Sequence, residues 1–212
     1  MMTRLPQLKP LCSFRSPGSH LCGLAWDGTH LWYSDGDTRL LYQLDVQTGS
    51  ILVTLPCPEV RTGLSFDGGH LWQIAGHPKC IRVIDPDDGE VRDEIALGAN
   101  AEQICGLLVQ NESYWTGPES NAYIEQYSRA TRRLTWQYGP VSSADGLAII
   151  GSLLWYTSYK DSALIAMDLQ SGTEVRRYHL TGNPTDMCWG GQMFWYNDYA
   201  HKQICAVRPD DL

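Results

Sequence analysis

The sequence predicts an all-β chain: a five-bladed β-propeller with four antiparallel strands per blade, the last blade closed by the N-terminal strand. Two recurring columns carry this expectation, because a fixed period of this length is the mark of a repeat architecture. Trp32, Trp72, Trp115, Trp155 and Trp195 follow one another at intervals of 40, 43, 40 and 40 residues. Nine residues before each tryptophan stand Gly23, Gly63, Gly106 and Gly146, with Asp186 in the fifth copy. A third observation concerns the ends. The fifth copy stops after its third strand, near Val207, and a strand-like segment at Lys9–Phe14 precedes the first copy. Pairing the two closes the ring and removes the open edges that an array would expose.

Each element follows from the same logic. In the first copy an inner strand near Cys22–Trp26 leads through Asp27-Gly28, a pair suited to a tight hairpin, into a second strand near His30–Ser34. A third strand near Leu40–Asp45, a Thr48-Gly49 turn and a fourth strand near Ile51–Leu55 complete the unit. Later copies repeat the turns as Asp67-Gly68 and Asp88-Gly89, as Gly151-Ser152 and Ser171-Gly172, and as Gly190-Gly191. The tryptophans and the column Leu24, Leu64, Leu107, Leu147 and Met187 read as packing between blades. Asp45, Asp85 and Asp168 read as acceptors for turn amides, and His30 and His70 as repeat positions near the face of the tight turns. No helical period competes with this pattern.

Composition narrows the class of function. The 212 residues carry a net charge of −8, which argues against nucleic acid, whose backbone is held by clustered Lys and Arg. The nearest basic cluster, Arg129, Arg132 and Arg133, reads as a solvated turn. Eight Trp and eleven Tyr against three Phe suit pleated, strand-rich packing. No stretch approaches the length that crosses a bilayer, and the N-terminal stretch has no continuous apolar region of the secretory kind. Seven cysteines without a paired spacing point to reduced thiols, so a cytoplasmic location is expected for a single domain spanning 1–212. Neither CxxC nor HExxH occurs.

The functional face is expected where the copies diverge, since loops on a rigid scaffold carry function. The tight A–B and C–D turns repeat; the D–A connections and B–C loops, which share the opposite face, do not. Before the repeated glycine stand Cys22, Thr62, Cys105, Asp145 and Thr185, and two residues earlier His20, Val60, Gln103, Ser143 and Asn183. The B–C loops add Asp35, Asp37, His77, Glu119, Tyr159, Lys160, Asp161, Asn197, Asp198, Tyr199 and His201. From these, Asp145, Cys22, Cys105 and Asp186 are the candidate catalytic groups. His20, Arg61, His77, Gln103, Tyr159 and Asp198 are the candidate ligand contacts.

Each candidate has two readings. His20, Cys22, Cys105 and Asp145 offer a donor set for zinc or copper, or a thiolate with a histidine base. The same cysteines also fit as small buried hydrophobes where strands crowd the axis. Asp145 and Asp186 can serve as acid or base if burial raises their pKa, or can hold strand-end amides around the pore. A divalent metal is compatible with this set. No nucleotide cofactor is expected, because no glycine-rich fingerprint follows a strand.

The run Asp145-Gly146-Leu147, Leu154-Trp155-Tyr156 and Met167-Asp168-Leu169-Gln170-Ser171-Gly172 resembles blades of the plant-type glutaminyl cyclase group. It is also similar to blades of streptogramin lyase and gluconolactonase-like propellers. In the cyclase group a Glu-Gly-Leu entry to an inner strand carries an acidic residue near the pocket. Here the Gly-Leu entries are preceded by Cys22, Thr62, Cys105 and Asp145, and only Asp145 matches in charge. The resemblance implies a propeller that binds a small polar molecule and transforms it by lyase, cyclotransferase or hydrolase chemistry. The alternative is a non-catalytic propeller whose rim contacts a protein partner. Whether the chain is an enzyme stays open at this level.

Overall fold

A computed structural model describes residues 5–209. After β1 (Cys12–Arg15), the first blade comprises β2 (Leu21–Trp26), β3 (Leu31–Asp35), β4 (Leu40–Leu44) and β5 (Ile51–Pro56). The second comprises β6 (Val60–Asp67), β7 (His70–Ala75), β8 (Cys80–Ile84) and β9 (Val91–Ala96). The third holds β10 (Ile104–Gln110), β11 (Ser113–Pro118), β12 (Ala122–Ser128) and β13 (Leu134–Val141), preceded by one 3-10 turn at Ala101–Gln103. The fourth holds β14 (Gly146–Ile150), β15 (Leu153–Ser158), β16 (Ala163–Asp168) and β17 (Glu174–His179). The fifth adds β18 (Pro184–Gly190), β19 (Met193–Asp198) and β20 (Gln203–Val207), with β1 as its outer strand. The five sheets are each four-stranded, and the inner strands β2, β6, β10, β14 and β18 contact one another in a closed ring.

Closure occurs as expected, with a shift in extent. β1 pairs antiparallel with β20, Cys12 opposite Ala206 and Arg15 opposite Gln203. The segment before it goes elsewhere: Leu8 donates its amide to the His179 carbonyl, and the His179 amide donates to Pro6 O. Pro10 has no N–H to offer a ladder, so regular pairing with β20 begins after it, at the Leu11 amide bonded to Ala206 O.

Packing between blades explains the tryptophan column. All five anchoring tryptophans are buried. Trp115, Ile124 and Tyr138 of the third blade share one cluster with Leu147, Leu154 and Tyr156 of the fourth. Trp155 of the fourth lies with its ring centroid 4.9 Å from that of Phe194 of the fifth. Asp45, Asp85 and Asp168 each accept the amide two residues on, as Asx turns do. His30 and His70 stay at the tight-turn face, on Asp27 and on the Gly68 carbonyl. The hairpin expected at Asp67-Gly68 turns on Gly68 and Gly69 instead, with φ of 62° and 79° between the paired Asp67 and His70. Two positive φ values in succession match the twist of the flanking strands.

The glycine column has a separate cause. Inner strands converge on the axis until their backbones touch. A Cβ on Gly146 would fall 2.1 Å from Met187 N, and one on Gly106 would fall 2.6 Å from Ala144 O. Only glycine lets a strand approach that closely.

Candidate functional site

At the mouth formed by the D–A and B–C connections lies a cavity of about 410 Å³. Its floor is the column of residues preceding the glycine positions: Cys22, Thr62, Cys105, Asp145 and Thr185, one from each blade. Two of these are tied down by the backbone next door. Thr185 Oγ1 donates to Leu21 O at 3.0 Å and Thr62 Oγ1 to Ile104 O at 3.4 Å, so each hydroxyl bridges neighbouring blades. The walls are His20, Arg61, Glu119, Tyr159, Lys160 and Tyr199. Tyr199 meets the His20 ring edge to face and the Lys202 ammonium, 3.3 Å from its ring centre.

Asp145 is the carboxylate of this floor. Its amide extends the ladder of the fourth blade by donating to Thr157 O at 2.9 Å, which fixes the backbone from which the side chain projects. One oxygen, Oδ2, accepts from Tyr159 N at 2.7 Å and from Ser143 Oγ at 2.9 Å. The residue is 7% exposed. Burial drives its pKa up to about 7, against the two hydrogen bonds, which favour the charged form, with the negative charge of Glu119 adding to the rise. Near neutral pH both protonation states are therefore populated.

The two thiols of the floor behave differently. Burial raises Cys22 and Cys105 each to about 12, with the charge of Asp35 adding to the rise of the first and that of Asp145 to the rise of the second. Both are neutral thiols at ordinary pH, and Cys22 Sγ donates to His20 O at 3.4 Å. Among the described residues no group of three or more His, Cys, Asp or Glu side chains is arranged to hold a metal ion.

Asp186 lies outside the cavity lining, fully buried on the axis. Oδ2 accepts the amides of Leu24 and Leu64 at 2.9 and 3.0 Å, and Oδ1 that of Met187 at 2.8 Å. One carboxylate thus gathers amides from the fifth, first and second blades. Burial pushes its pKa well above the usual carboxylate range, and the three amides pull against that rise.

His20, Cys22, Arg61, Cys105, Asp145 and Tyr159 therefore share one cavity, and four other candidates stand apart from it. His77, largely exposed, faces Glu102 at 3.7 Å, the carboxylate that also takes Arg61 at 3.1 Å. Gln103 is exposed in the 3-10 turn and contributes its carbonyl to the Glu119 amide. Asp198 is buried and accepts both the amide and the Nδ1 of His201. It also leaves no room for a side chain at Gly182, whose Cβ would lie 1.8 Å from its Oδ1. Asp186 is the fourth. The lining further includes Thr62, Thr185, Glu119, Lys160 and Tyr199, which the diverging columns and loops contained. Thr62 and Thr185 were identifiable from the pre-glycine column alone; nothing in a single sequence ranks Glu119, Lys160 or Tyr199 above their loop neighbours.

Fold and site together define a five-bladed propeller with a mouth cavity that carries a buried, titratable carboxylate. Among solved structures, the glutaminyl cyclase of Myxococcus xanthus is similar with a TM-score of 0.78 at 13% identity, over 97% of this chain and 98% of that one. Virginiamycin B lyase from Staphylococcus aureus gives 0.54 at 15% identity, over 92% of this chain and 68% of that one. A chain of the nidogen/laminin complex gives 0.62 at 14% identity, over 84% and 72%. At these identities the likeness is one of fold. No protein-family model and no curated protein sequence matches the chain.

Proposed function

We propose that this propeller binds a small polar molecule in the mouth cavity and transforms it with Asp145 as general base. The reaction type is that of a lyase, cyclotransferase or hydrolase. The observation that carries this reading is Asp145 itself: a carboxylate in the floor of a cavity shared by all five blades, with a pKa of about 7. A base is most effective when its pKa lies near the working pH. Around it, Glu119 and Lys160 offer opposite charges, and Tyr159 and Tyr199 offer ring faces with polar edges. Such a lining suits a compact ligand that carries polar or charged groups. The similarity to a glutaminyl cyclase over nearly the full length supports the cyclotransferase branch. Seven unpaired thiols support the accompanying proposal of a reducing compartment, the cytoplasm.

The test is turnover on three substrates: a glutaminyl peptide, virginiamycin B and a small lactone. The purified chain should convert one of them, with a rate that climbs tenfold per pH unit and levels off above about 7. Asp145→Asn should lose roughly 10²–10⁴-fold in kcat while staying folded. Turnover that survives this substitution, or none on any of the three, would overturn the reading.

A further inference from the structure

Outside the cavity lining, three serine hydroxyls lead from Asp145 in an unbroken line to the surface. Ser143 Oγ lies 2.9 Å from Asp145 Oδ2, and Ser158 Oγ lies 3.0 Å from Ser143 Oγ. Ser142 Oγ follows at 3.3 Å from Ser158 Oγ, and Asp161 Oδ2 at 2.5 Å from Ser142 Oγ. Ser143 and Ser158 are both fully buried, and Ser142 is half-buried. Asp161 is half-exposed and paired with Arg177 at 3.1 Å. In both serine–serine contacts either oxygen can be the donor.

We propose that Ser143, Ser158 and Ser142 are a proton relay connecting Asp145 to Asp161 and so to bulk water. This rests on the reading of Asp145 as the group that gains and loses a proton. The balance is simple. With the proton on Asp145, every hydroxyl points outward, Asp145 to Ser143 to Ser158 to Ser142 to Asp161. Each oxygen passes its hydrogen on and receives one from behind. One proton then sits on Asp161, and every serine remains a neutral hydroxyl, now pointing inward. The two arrangements use the same four contacts with the donors reversed, as a hydroxyl that both donates and accepts permits.

The need for such a route comes from the cavity. A ligand seated there covers the front of Asp145, which is already buried, with 7% of its surface exposed. A base that has taken a proton from the ligand must release it before the next cycle. Glu119 and Lys160 act on Asp145 from the cavity, and Asp145 in turn acts on Cys105 in the floor and on Asp186 at the axis, but none of them belongs to the serine line. Against its partial burial, the bonds from Ser142, then Arg177 and Ser158, hold the Asp161 carboxyl below its ordinary range, so a proton arriving there passes readily to water.

The measurement is the side-chain 13C signal of Asp145, assigned by its loss in Asp145→Asn and followed through a pH titration. Ser158→Ala interrupts the line but leaves the Ser143 bond to Asp145 in place. It should keep the Asp145 midpoint near its wild-type value while slowing proton exchange about tenfold, read as broadening at the midpoint. Because Ser158 is buried, Ser142→Ala at a half-buried position repeats the interruption nearer the surface, and Ser142→Thr should restore exchange. A shifted midpoint with unchanged exchange means the serines only position the carboxylate, and overturns the relay. Unchanged exchange and midpoint in both alanine variants also overturns it. A wild-type midpoint in the ordinary carboxylate range would instead overturn the base role of Asp145.

Discussion

Asp186 stands in a column that is glycine in the other four blades, and its contacts explain why. The glycines bring inner strands together; the aspartate fills the space left at the axis and takes three amides across it. Asp186→Gly would restore the repeat but strand three buried N–H groups, at a cost of about 3–9 kcal/mol in a denaturant titration. Asn cannot replace Asp cleanly, because its NH2 would face at least one of those donors. The pH dependence has a definite sign. Asp186 has a folded pKa raised above the unfolded value of 3.8, so below that value both states are protonated and nothing is lost. As pH rises past it, the unfolded chain releases the proton and the folded one keeps it, so stability falls up to the folded pKa. Asp145 acts in the same direction between 3.8 and about 7. Unfolding free energies measured across that window should therefore decline in the wild type and decline less in Asp186→Asn. A slope unchanged by the substitution would refute this account. The break in the glycine column was visible in the sequence. Its meaning was not, because the bond from Leu24 N joins residues 162 positions apart and no local pattern encodes it.

At the scale of elements, closure depends on one short strand. β1 supplies four residues opposite β20, whose Ile204, Cys205, Ala206 and Val207 are all buried. Removing the chain through Arg15 would strip that pairing and also the Pro6 and Leu8 bonds to His179 on the fourth blade. The truncated protein should expose the edge of β20, aggregate and melt well below the parent; equal melting temperatures would refute the closure. The missing fourth strand made this closure readable in advance. Its register was less readable, because the segment divides at Pro10 between two blades. The four strands of the first blade were legible to within a residue, since its tryptophan, glycine and turn residues mark them independently. β10 to β13 are the least regular, with shifts between Ile104 and Gly106, Ala122 and Ile124, and Gln126 and Tyr127. The longest tryptophan interval, 43 residues, falls ahead of them, between Trp72 and Trp115.

Across the whole molecule the two mouths differ in chemistry, and Asp186 lies between them. The mouth of the tight turns holds a recess of about 220 Å³ ringed by Leu24, Leu64, Leu107, Leu147 and Met187, with Trp26, Trp189, Ser65, Asp67 and Gln110 also in its lining. The opposite mouth is the cavity lined by Asp145, Glu119, Lys160, Arg61 and His20. Which face diverges among the copies could be read from the sequence, and so could the floor column, because both depend only on position within a repeat. Which loop side chains turn inward could not: Asp35 and Asp198 sit at equivalent strand ends, yet both are consumed by their own loops. A polar ligand should therefore report on one mouth alone. On titration with the glutaminyl peptide of the turnover assay, the Asp145 carboxyl and the Tyr159 and Tyr199 ring signals should shift. The indole N–H signals of Trp26 and Trp189 should not. Binding should also weaken with added salt, because Glu119 and Lys160 face the ligand at the cavity wall, where screening reaches them. Shifts confined to Trp26 and Trp189 would move the site to the tight-turn face, since Asp186 and the touching inner strands leave no path along the axis by which a ligand in one mouth could contact the other.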